Sequence, residues 1–266
     1  MHKIFDLFWP DVKSIFLVSR YTFGEIYKSK ILINIVLIGL AQVIISYVAS
    51  EFTFGVPQRV ALDFGLGTLS LAAVGIAIFM GVNLISKDVE NRTIYMVLAR
   101  PINRYAFLCG RIGGMMGILA VNILILGIFT LLLCKFMGGT ISNLMLWCLV
   151  FAFCEATLVL IIVVLLSLVS NAAITVITSL ALYVGGHAVS EVMAIPGIFT
   201  NSFLKGIITV YSFIFPDFGR LNLKQHVLYE QVVPSSYFSH GLLYAVIYGL
   251  ILVIIASWVF QRKNLD

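Results

Sequence analysis

Apolar runs of about 18 residues or more recur along this chain, and each carries few or no charges. A helix of about 20 apolar residues crosses the hydrocarbon core of a bilayer. The 266 residues are 61% hydrophobic and only 11% charged. A soluble domain of that length would need far more polar side chains to cover its core. The runs do not alternate apolar with polar in ten-residue segments, which argues against a β-barrel. The expected fold class is therefore an all-α membrane protein.

Six transmembrane helices are expected, over Ile31–Ala49, Phe64–Ile85, Ile112–Cys134, Asn143–Leu168, Ala172–Ala194 and Gly241–Phe260. Before them, residues 1–30 form an N-terminal segment. Val12, Ile15, Phe16, Phe23, Ile26 and Tyr27 fall near one helical face there, with Lys13, Arg20, Lys28 and Lys30 elsewhere. That pattern predicts an amphipathic interfacial helix, or an ordinary helix packed on a partner. The first apolar run starts too late, and is too long, for an ordinary cleaved signal peptide. Pro196 and Gly197 end the fifth span. Within the long connection 195–240, residues 198–215 are apolar but carry Asn201, Ser202, Lys205, Thr209 and Ser212. They read as a re-entrant or interfacial helix. Residues 261–266 are a polar tail, so 31–260 is the transmembrane domain.

Charge asymmetry sets the orientation. With six spans, 12 of the 17 Lys and Arg fall on the side of the termini and of the loop between the second and third spans. The positive-inside rule then places both termini in the cytoplasm of a multi-pass protein. The same assignment leaves the triplet Asn91-Arg92-Thr93 on the wrong face for glycosylation. The basic residues flank apolar runs without exposed aromatic interleaving, which indicates membrane lipid contact and no nucleic acid.

Several intramembrane positions are candidates for contact or chemistry. Ala73, Ala77 and Gly81 form a small-residue stripe on the second span, and Gly110/Gly114 and Gly113/Gly117 are overlapping GxxxG pairs. Such stripes admit a close helix, within the chain or in a dimer. Glu155 lies near the middle of the fourth span, where a charged carboxylate costs roughly 2.5–3.5 kcal/mol on insertion scales. It marks either a substrate or proton path or a neutral group bonded to a neighbouring helix. His187 and Glu191, four residues apart, share a helical face and extend that candidate path. Two ligands do not make a metal site, and none is expected. Cys109, Cys134, Cys148 and Cys154 show no CxxC spacing, so neither a disulfide framework nor a metal knuckle follows.

The most charged stretch is Ser86–Arg111, with Lys87, Asp88, Glu90, Arg92, Arg100, Arg104 and Arg111. Residues Asp88–Ala99 suffice for about three helical turns, and Pro101 ends them near Arg100. Glu90, Arg92-Thr93-Ile94, Pro101-Ile102-Asn103-Arg104 and Gly110-Arg111 together resemble ABC transporter permeases of the ABC-2 superfamily. Asp63-Phe64-Gly65-Leu66, Gly185-Gly186-His187 and Phe260-Gln261-Arg262-Lys263-Asn264-Leu265 extend the resemblance over nearly the whole chain. The similarity is greatest to the subgroup annotated for multicopper enzyme maturation. That family more often has lysine where Arg111 stands, and Phe215–Leu223 matches its Pro-Asn-Leu loop only loosely.

The resemblance implies a half-size permease of the bacterial inner membrane. Its partner would be an ABC ATPase subunit in two copies, and the permease would pair as a homodimer or with a related permease. A periplasmic partner is compatible with it. The cytoplasmic coupling helix would lie between spans two and three. Asp88, Glu90, Arg92, Thr93, Tyr95, Leu98, Arg100, Pro101 and Arg104 would contact the ATPase. ATP and Mg would be bound by that partner, because this chain has no Gly-x-x-x-x-Gly-Lys-Ser/Thr loop and binds no cofactor of its own. The work would be export or force transmission across the membrane. The alternatives are an intramembrane enzyme using Glu155, His187 and Glu191, or a secondary transporter. The first lacks a serine elbow or HExxH, and the second lacks a visible inverted repeat.

Overall fold

The computed structural model describes residues 2–28, 31–53, 56–90, 103–193, 206, 210–211 and 215–262. The described residues are almost entirely helical and include no strand. In chain order the helices are α1 (His2–Lys28), α2 (Ile31–Glu51), α3 (Pro57–Glu90), α4 (Arg104–Phe136), α5 (Asn143–Val169), α6 (Ala172–Met193), α7 (Lys224–Leu228) and α8 (Ser235–Arg262). A 3-10 turn, Phe218–Leu221, precedes α7.

Among the described residues, five helices are long and apolar enough to cross a membrane: Ile33–Glu51, Pro57–Asn83, Arg104–Phe136, Asn143–Val169 and Ser235–Arg262. They mark a multi-pass membrane protein. The region read as the fifth span is α6, whose apolar part, Ala172–Ala188, is shorter. Most of 198–215, read as re-entrant or interfacial, lies outside the described residues.

α4 is the hub, touching α1, α2, α3, α5 and α8. α5 is packed almost all round, and every residue from Leu158 to Val164 is buried. That is the expected place for a helix hydrophobic on every face. The faces of α2 and α8 away from the bundle carry exposed Leu37, Ile44, Leu250 and Ile254, side chains suited to lipid. Inside, Gln42 donates to Thr130 Oγ1 at 2.6 Å and to the Gly65 carbonyl at 3.2 Å. One amide thus ties α2 to both α4 and α3 in an apolar setting.

Helix α1 is amphipathic, and it divides its apolar side chains between the bundle and the outside. Ile26 is buried, whereas Val12, Phe16 and Tyr27 are exposed. The inward side lies on the glycine face that opens α4. A methyl group at Gly114 would stand 2.6 Å from Thr22 Cβ and 2.7 Å from the Ser19 carbonyl oxygen, so only glycine permits that approach. Arg111, between these glycines, is buried and pairs with Glu25 of α1 at 2.7 Å.

α3 is one continuous helix of 34 residues. It passes the expected end of the second span, Ile85, so Asp88 and Glu90 stand in its last turn.

Candidate functional site

Glu155 and His187, 32 residues apart on α5 and α6, meet in the interior. His187 Nε2 stands 2.9 Å from Glu155 Oε1. Glu155 is only 3% exposed. An intramembrane carboxylate needs such a partner, because isolated charge in this medium is costly. The Tyr183 ring packs edge-on against the imidazole at 4.8 Å between centroids, and the Phe218 ring stands 5.8 Å from it.

The pair lines a cavity of about 220 Å³ together with Ser70, Cys148, Tyr183, Asn222 and Lys224. Its walls come from α3, α5 and α6, and its roof is Leu221–Lys224. Leu221 and Leu223 are themselves buried. The roof is held from three directions. Lys224 Nζ reaches Asp63 Oδ1 on α3 at 2.7 Å. The Asp217 backbone N–H donates to the Tyr244 hydroxyl on α8 at 2.8 Å. Phe218 sits directly on Gly186 of α6, where any side chain would collide with its ring. Arg220 Nε donates to Asp217 Oδ2 at 2.8 Å and closes the turn on itself.

A second, larger cleft of about 450 Å³ lies where α7 meets the α4–α5 turn, lined by Gln58, Arg59, Cys134, Thr140, Glu230 and others. It holds no buried charged pair.

The structure brings Glu155 and His187 together; the side chain of Glu191 lies outside the described residues. Among the described residues no three His, Cys, Asp or Glu side chains gather closely enough to hold a metal ion. Ala73 and Ala77 are buried, and Gly81 faces Val163 of α5, where a methyl would lie 2.6 Å from its Cγ1. Gly113 and Gly117 face Ser19 and Phe23 of α1. Both stripes are thus used within the chain.

Of the residues expected at an ATPase, Asp88 and Glu90 have described backbone only. Arg92, Thr93, Tyr95, Leu98, Arg100 and Pro101 lie outside the described residues. Arg104 opens α4 and its Nη1 donates to the Gln261 carbonyl at 3.3 Å, so the end of α8 lies beside the start of α4.

Sequence reasoning missed Ser70, Tyr183, Asn222 and the Lys224–Asp63 pair. A signal existed for one of them. Tyr183 is four residues before His187, one turn away on the same face.

The fold and cavity define a polytopic helical membrane protein with a roofed chamber between three of its helices, mostly apolar and built around one buried carboxylate. Comparison with protein-family models finds no match, and comparison with curated proteins finds none either.

Proposed function

We propose that this chain is the membrane subunit of an ATP-driven transporter of the ABC-2 permease type. A separate ATPase subunit would supply the energy, with two copies serving a permease dimer. The observation that carries the reading is the continuity of α3. Its 34 residues span about 51 Å at 1.5 Å per residue. That exceeds the roughly 30 Å hydrocarbon core. One rigid helix therefore joins the cavity wall at Ser70 to the charged turn at Lys87–Glu90. Displacing one end must move the other, which is what a coupling element requires.

In this reading α6 also crosses the membrane, as the fifth of six spans. Its 22 residues reach about 33 Å as a helix, enough for the core. The termini and the 86–111 loop then share the cytoplasmic side, where most of the Lys and Arg collect. α1 lies along that surface with Val12, Phe16 and Tyr27 toward lipid. The bacterial inner membrane and an export or force-transmitting role follow from the same reading.

The test is purification of the chain from its native membrane. An ATP-hydrolysing partner should co-purify, and the charge reversals Glu90→Lys and Arg104→Glu should abolish the permease's effect on ATP hydrolysis while the protein still assembles in the membrane. Normal coupling in both variants, or no ATPase in the complex, overturns the proposal.

A further inference from the structure

The chamber at Glu155 is closed toward the end of the bundle where α3 and α5 begin, yet it is open sideways. Leu221 and Leu223 in its roof are buried, whereas Leu71, which lines the same chamber, is 67% exposed. Leu71 and Glu155 both lie near the middle of their helices, Pro57–Glu90 and Asn143–Val169. α3 and α6 touch only sparsely beside it. Val184, next to Tyr183 in the wall, is exposed as well. The gap between α3 and α6 thus opens onto the apolar outside of the molecule at the depth of the hydrocarbon core.

We propose that this chamber binds the head of a membrane-borne amphiphile carrying a primary ammonium group, which enters from the bilayer between α3 and α6. The floor supplies the complement. Glu155 offers a carboxylate with several acceptor positions, of which His187 and the Tyr183 hydroxyl fill two. The Ser70 and Tyr183 hydroxyls line the same space and also accept N–H donors. Two hydroxyl acceptors beside one carboxylate suit a head with N–H groups over a trimethylated one. The single cation at the roof, Lys224, is already paired with Asp63 at 2.7 Å, so it does not repel the head. The volume of about 220 Å³ admits a compact head and no acyl chain. The tail stays in lipid, past Leu71. Calling this ligand the cargo rests on the transport reading; the binding itself needs no ATPase.

Asn222 lines the chamber from its roof and is only partly buried, so Asn222→Cys reports on it. The full chain, with the native cysteines replaced by serine and Asn222→Cys added, is placed in phosphatidylcholine nanodiscs and labelled with N-ethylmaleimide. Dodecylamine at about ten times its dissociation constant should slow labelling about tenfold. Dodecanol, which lacks the charge, and propylamine, which lacks the tail, should leave the rate unchanged. Glu155→Gln should remove the protection. Leu71→Trp, a change at an exposed position that does not depend on refolding the core, should weaken the protection by blocking entry. A matching chain with Thr140→Cys instead, at an exposed position in the separate cleft, should show no dodecylamine effect. The proposal fails if dodecylamine does not protect, if propylamine or dodecanol protects equally, if protection survives Glu155→Gln, or if Leu71→Trp leaves the protection unchanged. It fails also if pairing of two copies alone shields Asn222→Cys, since the opening would then be a subunit contact. Because no ATPase is present, failure here leaves the coupling proposal standing, and the reverse also holds.

Discussion

Arg111 shows what one buried charge does in this bundle. Its side chain is 7% exposed and its Nη1 lies 2.7 Å from Glu25, which is 46% exposed. Nη1 is also 3.4 Å from Thr22 Oγ1. The Phe107 ring lies beneath the guanidinium, 5.6 Å from Cζ to centroid. Removing Glu25 strands a desolvated cation, a loss of about 3–5 kcal/mol for a fully buried pair. Half-exposure of the carboxylate lowers that to about 1–2 kcal/mol, because water already screens part of the attraction. Glu25→Ala should therefore lower the melting temperature of the detergent-solubilised protein, and Glu25→Ala with Arg111→Met should recover most of the loss. A double variant no more stable than Glu25→Ala would show that Arg111 is held by its other contacts. At the same scale, Glu155 was legible in the sequence as a polar point needing a partner, and His187 as a residue of interest. Their pairing was not legible, because it depends on the rotation of α5 against α6, and both faces are apolar enough to hide the register.

Between elements, the α1–α4 seam decides whether the N-terminal helix stays with the bundle. The glycine pairs at the head of α4 announced a close contact, and the structure supplies α1 as the occupant. Periodicity alone could not choose α1. Ile15, Phe16, Phe23 and Tyr27 look like one stripe on a helical wheel, yet the chain divides them between α4 and the outside. Gly114→Leu should displace α1, because its first carbon already meets Thr22 and the Ser19 carbonyl. The readout is limited proteolysis, with faster cleavage between residues 12 and 28 and an intact α2–α8 fragment. Gly24→Ala should do the opposite. Nothing lies within 4 Å of a methyl there, and replacing a mid-helix glycine gains about 0.5–1 kcal/mol. Slower cleavage of α1 in Gly24→Ala and faster cleavage in Gly114→Leu would separate helix stiffness from helix docking. Equal rates in both would show that α1 is retained mainly by the Arg111–Glu25 pair.

For the whole molecule, the consequence of the α3 rod is mechanical. The sequence showed an apolar span and, after it, a charged loop, and a boundary near Ile85 followed from hydropathy. Hydropathy marks where lipid ends and is silent on whether the backbone stops there, so the unbroken helix to Glu90 was not legible. If α3 transmits displacement between the charged turn and the Glu155 chamber, stiffness between the two must matter more than the side chains in that interval. Asn83 stands in the interval, and its side chain donates to the Phe79 carbonyl one turn back at 2.9 Å. Asn83→Ala removes that contact and keeps the helix. Asn83→Pro removes a backbone hydrogen bond, clashes with the preceding turn and costs about 3 kcal/mol or more in a helix interior. Both variants are compared in nanodiscs by the rate of Asn222→Cys labelling and, with the proposed ATPase partner bound, by nucleotide-dependent change in that rate. Asn83→Ala should respond to nucleotide like the parent, and Asn83→Pro should label at the parent's resting rate and no longer respond. A nucleotide response that survives Asn83→Pro would mean that force reaches the chamber along another helix, with α4 the next candidate because it touches every long apolar helix of the bundle.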